Sequence, residues 1–460
     1  MIKKIQTFIV ILIVLLIGYG AFQYMEPEIR ALLDGKKQQE HRQTESGSNT
    51  RDSSMEDNTE PAGKDENVRL PKAYDSRNEA RAPVIKNQGE LGTCWAVATS
   101  SALESSLLPR EHLVFSADHI SLRNHFAKNQ NDGGDYTMAM AYLAGWQGPV
   151  LEQDDPYGDG VSPDGLTPVK HVQEIQMIKD KDYDAIKRAV YDHGAVQSSL
   201  YMDLQNTVSS SVFFNKINNT YCYVGNARSN HDILIIGWDD HYPADKFNAD
   251  IKKDGAFICQ NSWGADFGED GIFYVSYEDA NLGNNCVAYS RIENTGNYDH
   301  IYQTDLCGWV GQIGYGSDTC YFANVYEAKQ DENLSAVGFY ATGKDTEYDI
   351  HIIEEFDGPS SLISWSPAQS GKFGNGGYYT VDLEEPVKVA KGQRYAVMIK
   401  IKSPGLQYPV ATEYQADEAT KNVDIADGEG YISMSGYSWT RTETEHSCNV
   451  CLKVYTRDAQ

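Results

Sequence analysis

The chain has 460 residues, and its 39 Lys and Arg against 66 Asp and Glu give a formal net charge of −27. At roughly 100–200 residues per domain, this length predicts about two to four domains. The acidic excess argues against nucleic acid binding and against polybasic attachment to anionic lipid, because both need clustered Lys and Arg. With 41% hydrophobic and 11% aromatic residues, most of the chain is predicted to fold.

Residues 1–25 have the pattern of an export signal. Lys3 and Lys4 precede an apolar run from Phe8 to Ile17, and a basic start before an apolar core directs a chain to the membrane. Small residues at the end of the run offer a cleavage site, whereas about 20 residues suffice to span a bilayer uncleaved. We expect a membrane anchor, with a cleaved signal peptide as the alternative, and a protein at the cell surface or outside the cell.

Residues 26–69 contain no Phe, Trp or Tyr and are rich in Glu, Gln, Ser, Asn, Asp and Lys. Such a segment cannot bury enough apolar surface to offset the entropy lost on ordering. It is predicted to be a disordered tether, with a propeptide as the competing interpretation.

The segment NQGELGTCW, residues 87–95, is followed by a stretch without Gly or Pro that continues to residue 108. Cys94 is therefore predicted at the N-terminus of a helix. The unpaired amides and the helix dipole there favour a thiolate, which is the form that attacks a carbonyl carbon. A cysteine before a helix is also commonly a small core residue, so the position alone leaves both interpretations open.

Two distant segments supply what a cysteine nucleophile needs. His231 opens the apolar run in SNHDILIIGW, and Asn261 ends the apolar run in AFICQNSWG. A nucleophilic thiol requires a base to take its proton, and the base requires a third group that orients its ring. A neutral Asn can orient the ring by hydrogen bonding.

These segments resemble the papain-like cysteine peptidases. The resemblance runs from residue 70, at LPKAYDSR, to about residue 292, and includes GPVLEQDDPY and GAVQSSL in the family's order. It implies an α+β fold with a helical lobe and a β-barrel lobe over residues 70–296. It also implies hydrolysis of peptide bonds in protein or peptide substrates, without a metal or organic cofactor.

The resemblance assigns catalytic roles by position. It implies that Cys94 is the nucleophile, resting as a thiolate beside an imidazolium at His231, which Asn261 orients. It further implies that Gln88 donates a side-chain N–H to the oxyanion, a contact worth about 3 kcal/mol in the transition state.

Four further residues are expected to line the substrate site. Glycine lets another backbone approach closely, so Gly133 and Gly134 are expected to pair with the substrate chain. Trp263 is expected to shield the bond between His231 and Asn261. Asp232 stands where the family usually has a small residue beside a substrate pocket, and it either favours a basic substrate side chain or points elsewhere.

After residue 296 the character of the sequence changes. Residues 297–460 hold half of the 30 tyrosines and a series of short alternating segments separated by Gly, Pro, Asp and Asn. This spacing predicts an all-β sandwich. GWVGQIGYG, FANVYEA and NVCLKVYT resemble the lectin-like domain that follows some exported bacterial peptidases, which implies a carbohydrate or cell-wall ligand. Trp309 and Trp439 are candidates for stacking on sugars, with burial in the core as the alternative.

The function predicted from the sequence is thus that of an exported cysteine peptidase. The alternative is a surface adhesin whose peptidase domain is vestigial. Acyl transfer or amidase chemistry is a third interpretation, since the same thioester can be resolved by an amine.

Overall fold

The computed structural model describes residues 68–364 and 366–459. The predicted signal or anchor, and the predicted tether up to residue 67, lie outside the described residues. Among the described helices, none combines the length and apolar character needed to cross a membrane.

Two helices of the first half pack against a third, α1 at Cys94–Leu107, which is buried along nearly its whole length. The α-helices of the described residues are α1 Cys94–Leu107, α2 Ala117–Leu122, α3 Tyr136–Ala144, α4 Tyr183–His193 and α5 Thr442–Glu445. Helix α1 has no fully exposed face, because it packs against both α2 and α3 and against the neighbouring sheet. This arrangement confirms the predicted helix after residue 93.

The second lobe of the first half is built from strands that pair antiparallel, apart from one parallel pair formed by the strands at residues 220–221 and 272–276. Its strands are β1 Ala73–Asp75, β2 Lys170–Ile178, β3 Val196–Leu200, β4 Phe214–Asn215, β5 Thr220–Tyr221, β6 His231–Asp239, β7 Ala256–Gln260, β8 Ile272–Ser276 and β9 Asn284–Asn294. Helix α1 packs against β6 and β9. The predicted combination of a helical lobe and a β lobe is confirmed.

The second half is a sandwich of β-sheets, as the alternating segments predict. Its strands are β10 His300–Tyr302, β11 Gly311–Ile313, β12 Thr319–Glu327, β13 Glu332–Ala341, β14 Thr346–Ile353, β15 Gln369–Phe373, β16 Gly376–Val389, β17 Arg394–Lys402, β18 Val410–Glu413, β19 Gly430–Ser433, β20 Thr440–Arg441, β21 Asn449–Val450 and β22 Leu452–Asp458. One sheet has the order β15-β14-β17-β12-β19-β20, and it faces β13, β16 and β22 across an apolar core. A small third sheet has the order β11-β18-β21.

One sheet runs through both halves of the molecule. Strand β16 of the sandwich pairs with β2 of the first half, from Gly376 opposite Met177 to Tyr379 opposite Glu174. Buried side chains of the sandwich, including Tyr340 and Tyr378, belong to the same apolar core as helix α1. The two halves therefore share backbone hydrogen bonds and a core.

The contacts of Trp309 and Trp439 bear on whether these tryptophans are exposed or buried in the sandwich. Trp309 is half-buried against Tyr340, and the half-buried Trp439 donates its indole N–H to the carbonyl of Leu362 at 2.9 Å. Both tryptophans thus make contacts inside the sandwich and keep part of their surface exposed.

All eight cysteines lie in the described residues and are free thiols, and every one except Cys94 is buried.

Candidate active site

Cys94 is the first residue of α1, and its thiol is partly exposed. The turn before it requires small residues, since a Cβ on Gly92 would lie 3.0 Å from the carbonyl oxygen of Gln130. The backbone amides of Asp232, Trp95 and Cys94 itself act on the thiol. The fold therefore places the thiol at a helix N-terminus and beside the first residues of β6.

His231 and Asn261 meet because β6 and β7 are antiparallel neighbours, which places the start of β6 beside the end of β7. Nε2 of His231 and Oδ1 of Asn261 form a buried hydrogen bond of 2.7 Å. The half-buried Trp263 packs on the imidazole with ring centroids 5.1 Å apart. The ring of His231 is thus held through Nε2, which leaves Nδ1 as the nitrogen for proton exchange.

The surroundings of the thiol and the imidazole disfavour a charge on either group alone. Burial raises the pKa of Cys94 to about 12, and the nearby Asp232 carboxylate adds to this rise. Burial lowers the pKa of His231 to about 4, although the hydrogen bond to Asn261 works in the other direction. A thiolate–imidazolium pair therefore requires both charges to form together, by transfer of the thiol proton to the ring, so that each compensates the other.

Gln88 is held at both ends of its side-chain amide. Its Nε2 donates to the carbonyl of Leu91 at 2.8 Å, and its Oε1 accepts a hydrogen bond from the Ser262 hydroxyl at 2.5 Å. The backbone N–H of Gln88 also donates to the carbonyl of Ser262 at 2.8 Å. The Tyr157 hydroxyl donates to the Gln88 carbonyl at 2.9 Å. These contacts fix the amide beside the cysteine turn, with one N–H hydrogen still free to donate.

Ser262 and Tyr157 were not identified from the sequence as parts of the site. Both stand inside motifs that carry the family resemblance, but 174 residues separate Ser262 from Gln88. No local pattern indicates that contact.

We expect Ser262→Ala to reduce kcat for peptide hydrolysis by about 2- to 10-fold with little change in KM. The reason is that one hydrogen bond, worth about 0.5–1.5 kcal/mol, no longer orients the Gln88 amide. Steady-state kinetics on a fluorogenic peptide measures the effect. Ser209→Ala, at an exposed serine of the β lobe, is the matched control and should leave both constants unchanged. An equal loss in kcat for both variants would contradict the role of Ser262.

Gly133 and Gly134 lie beside the cysteine turn, and only one of them has a packing reason to lack a side chain. A Cβ on Gly134 would come within 2.4 Å of the Trp95 indole, so this position must be glycine whatever binds there. Gly133 has a φ of +69° and has space around it. Its backbone conformation is the one that glycine adopts without strain.

Asp232 is bound by neighbouring side chains of strand β3. The Gln197 Nε2 and the Ser199 hydroxyl donate to its carboxylate at 2.9 Å and 2.6 Å. Burial raises the pKa of Asp232 to about 6, against the lowering effect of these two bonds. Among the described residues, no Lys, Arg or His forms an ion pair with this carboxylate. Asp232 is therefore an uncompensated acid close to Cys94.

No group of three or more His, Cys, Asp or Glu side chains in the described part of the chain is arranged to hold a metal ion. The groups brought together are instead a thiol, an imidazole, a side-chain amide that orients it and a second amide poised as a donor. On a two-lobed α+β scaffold this set defines the thiol-peptidase class.

The family comparisons agree with this class. Residues 70–294 match the model for the papain family cysteine proteases, and residues 301–456 match the model for a lectin-like domain. The chain thus joins a segment that matches the papain family cysteine proteases to a segment that matches a lectin-like domain.

Two solved structures and several curated proteins are similar to this chain. The clostridial cysteine protease Cwp84 after propeptide cleavage has a TM-score of 0.74 at 23% identity, covering 84% of this chain and 99% of that one. The protease and lectin-like domains of Cwp84, described as a surface layer associated protein of Clostridium difficile, give 0.72 at 23%, covering 85% and 90%. Curated relatives are a cysteine protease of Blomia tropicalis, 26% identical over 48% of this chain and 66% of its own length, and cysteine proteinase 1 of Zea mays, 28% identical over 48% and 60%. This chain thus spans less than two thirds of either curated relative.

Proposed function

We propose that this protein is a cysteine peptidase that hydrolyses peptide bonds through a thioester at Cys94. The observation that carries the proposal is the buried hydrogen bond between His231 and Asn261 beside a thiol at a helix N-terminus. His231 takes the thiol proton through Nδ1 and returns it to the leaving amine. The Gln88 side chain and the Cys94 amide donate to the oxyanion, and water then resolves the thioester. In this proposal Trp263 keeps water from the His231–Asn261 bond, and the backbone at Gly133 and Gly134 pairs with the substrate.

A peptide library tests this proposal directly. We expect defined cleavage sites with the unaltered chain and none with Cys94→Ala. Adding an amine nucleophile distinguishes hydrolysis from acyl transfer, because an aminolysis product that displaces the acid product would show that an amine is the preferred acceptor. Absence of any cleavage or transfer would favour the adhesin alternative.

We propose further that Asp232 favours substrates with a Lys or Arg side chain. The carboxylates of Asp135, Asp180 and Asp232 each add to the rise in the pKa of Tyr136, although burial is its largest cause. A buried carboxylate without a counter-ion gains most from an incoming cation, because charges in a poorly solvated site are stabilised chiefly by partners. A basic substrate side chain supplies that partner.

Asp232→Asn is expected to remove a preference of about 10- to 100-fold for a basic over an isosteric neutral peptide, the range for a charge-assisted hydrogen bond. Because the pKa of Asp232 is raised to about 6, the preference should grow as the pH rises from 5 to 7. Cleavage of paired lysine and norleucine peptides at several pH values measures this. Asp184→Asn makes the same charge change on α4 and should keep the preference. An unchanged preference in Asp232→Asn would contradict the proposal.

The lectin-like domain exposes a set of tyrosines that suits a carbohydrate ligand. Tyr315, Tyr408 and Tyr414, here termed the tyrosine patch, are 39%, 49% and 37% exposed beside strands β11 and β18. Contacts of Gly314 with Tyr408 and of Gly311 with Tyr414 place the patch along this strand pair. Tyrosine combines an apolar ring face with a polar tip, which matches the apolar face and hydroxyl rim of a sugar. We propose that this patch binds glycan or cell-wall polymer.

Glycan-array binding of the complete chain tests the patch. Tyr408→Ala is expected to lower the signal at least about 10-fold by removing one stacking ring, while peptide cleavage stays the same. Ile363→Ala, a change at another exposed apolar residue of the sandwich, should keep full binding. Equal signals for all three proteins would contradict the assignment. The resemblance to a surface layer associated protein supports a location at the cell surface.

A further inference from the structure

A small cavity lies behind the proposed catalytic asparagine, between helix α1 and strands β6 and β7. It has a volume of about 10 Å³, and its polar lining consists of Lys86, Ser101, Asp232, Gln260, Asn261 and Ser262. A cavity needs about 10–15 Å³ of this kind of volume to hold one water molecule. Its size therefore admits a single water and nothing larger.

Three buried polar atoms on this lining have no hydrogen-bond partner among the described residues. They are the Oγ of Ser101, the Oε1 of Gln260 and the Nδ2 of Asn261, and their side chains are between 2% and 3% exposed. Leaving one such atom unsatisfied costs about 1–3 kcal/mol. Three around one cavity indicate a shared partner.

The orientations of both amides are set by their other contacts. The Nε2 of Gln260 donates to the carbonyl of Val84 at 3.2 Å, so Oε1 is the end left over. The Oδ1 of Asn261 accepts from His231 and from the backbone N–H of Ser262, so Nδ2 is the end left over. The other polar lining residues, Lys86, Asp232 and Ser262, already have hydrogen-bond partners. The three unpartnered atoms thus offer one acceptor, one donor and one hydroxyl that can do either. This mixture suits water, which both donates and accepts, and suits neither a cation nor an anion.

We propose that one buried water molecule binds in this cavity and holds the Asn261 side chain in its productive orientation, a role that rests on the proposed peptidase function. The water accepts from Nδ2 of Asn261, donates to Oε1 of Gln260 and bonds the hydroxyl of Ser101. A flipped Asn261 would present N–H groups to His231 in place of its carbonyl oxygen. Ser101 and Gln260 are thereby positioning residues, which act on the imidazole through the water and Asn261.

A crystal structure of the complete chain carrying Cys94→Ala tests the binding site independently of activity. We expect density for one water within hydrogen-bond distance of all three atoms. A dry cavity, in a map that shows other buried waters, would overturn the proposal. If the water is present and the unaltered protein cleaves no peptide, the proposed peptidase function fails while the water site stands.

Kinetics of Ser101→Val tests the positioning role, because the valine fills the cavity and removes the hydroxyl. We expect kcat to fall about 10-fold with KM changed less than about 2-fold. The alkaline limb of the pH profile should move to lower pH, since the hydrogen bond that His231 donates to Asn261 raises the pKa of His231 and its loss lets the imidazolium deprotonate at lower pH. If Ser101 only supported the fold, its replacement would not move the alkaline limb of the pH profile.

Two variants complete the design. Ser106→Val makes the same change on the same helix, where the hydroxyl bonds only the carbonyl of Ala102, and should leave the pH profile unchanged. Ser101→Ala keeps room for the water and should lose less than about 3-fold in kcat. An unshifted alkaline limb in a folded Ser101→Val, or an equal shift in Ser106→Val, would overturn the positioning role.

Discussion

Replacing Cys94 by alanine is expected to reduce kcat for peptide hydrolysis by about 10⁴-fold or more, with the fold intact. The nucleophile is lost, and no other thiol replaces it because the seven remaining cysteines are buried. Loss of a single member of such a catalytic set costs nearly as much as loss of the whole set. Alanine at this position also keeps a good helix former at the start of α1. Steady-state cleavage of a library-derived peptide measures the change.

Covalent labelling provides the control for this expectation. An epoxide or vinyl-sulfone inhibitor should add once to the folded protein, at Cys94, as seen by intact mass and peptide mapping. Cys222→Ala, at a buried thiol of the β lobe, should label and cleave like the unaltered chain. Labelling elsewhere with Cys94 unmodified, or retained activity in Cys94→Ala, would show that the catalytic assignment is wrong.

Removing residues 297–460 is expected to prevent the protease domain from folding as a stable unit. The deletion exposes the edge of β2 and strips the helical lobe of Tyr340 and Tyr378, which are at most 2% exposed in the shared core. Truncating one large buried aromatic costs about 3–5 kcal/mol, against a total stability of about 5–15 kcal/mol for a domain. Two such losses are enough to unfold it. Circular dichroism and thermal melting of the truncated and complete chains measure this.

Point variants in the complete chain separate this effect from nonspecific damage. We expect Tyr378→Ala to unfold in a single transition, because both halves unfold together, and to do so at a lower melting temperature than the unaltered chain. Tyr437→Ala, at a tyrosine that is 60% exposed, should melt like the unaltered chain. Two separate transitions in the complete chain, or a truncated protein with a cooperative melt at the original temperature, would contradict the coupling.

The sequence predicted those parts of the site that depend on local pattern. The turn before Cys94, the apolar strand that begins at His231 and the strand that ends at Asn261 were each placed by residues close to them in the chain. The register between β6 and β7 then brings His231 and Asn261 within 2.7 Å. The family resemblance implies the pairing of His231 with Asn261, because the motifs that contain these residues occur in the family's order.

The surroundings of each site residue could not be predicted in the same way. The contact of Ser262 with Gln88 and the two bonds to Asp232 join segments that are far apart in the chain. For Trp309 and Trp439, composition allowed exposure or burial, and the structure leaves both half-buried, with contacts inside the sandwich. The core that residues 297–460 share with helix α1 likewise joins segments far apart in the chain, and no local pattern indicates it.

The sequence by itself predicted the class of protein, a two-lobed α+β half followed by a β-sandwich, and the thiol, imidazole and amide groups proposed for catalysis. Short motifs suffice for these, because helix starts, strand periods and reactive side chains are properties of neighbouring residues. Only the tertiary structure decided which acid lies uncompensated beside Cys94, which atoms surround the cavity behind Asn261, and that one sheet and one core join both halves. Burial sets those features, since the pKa of Asp232 and the partners of Asn261 depend on segments that meet only when the chain is packed.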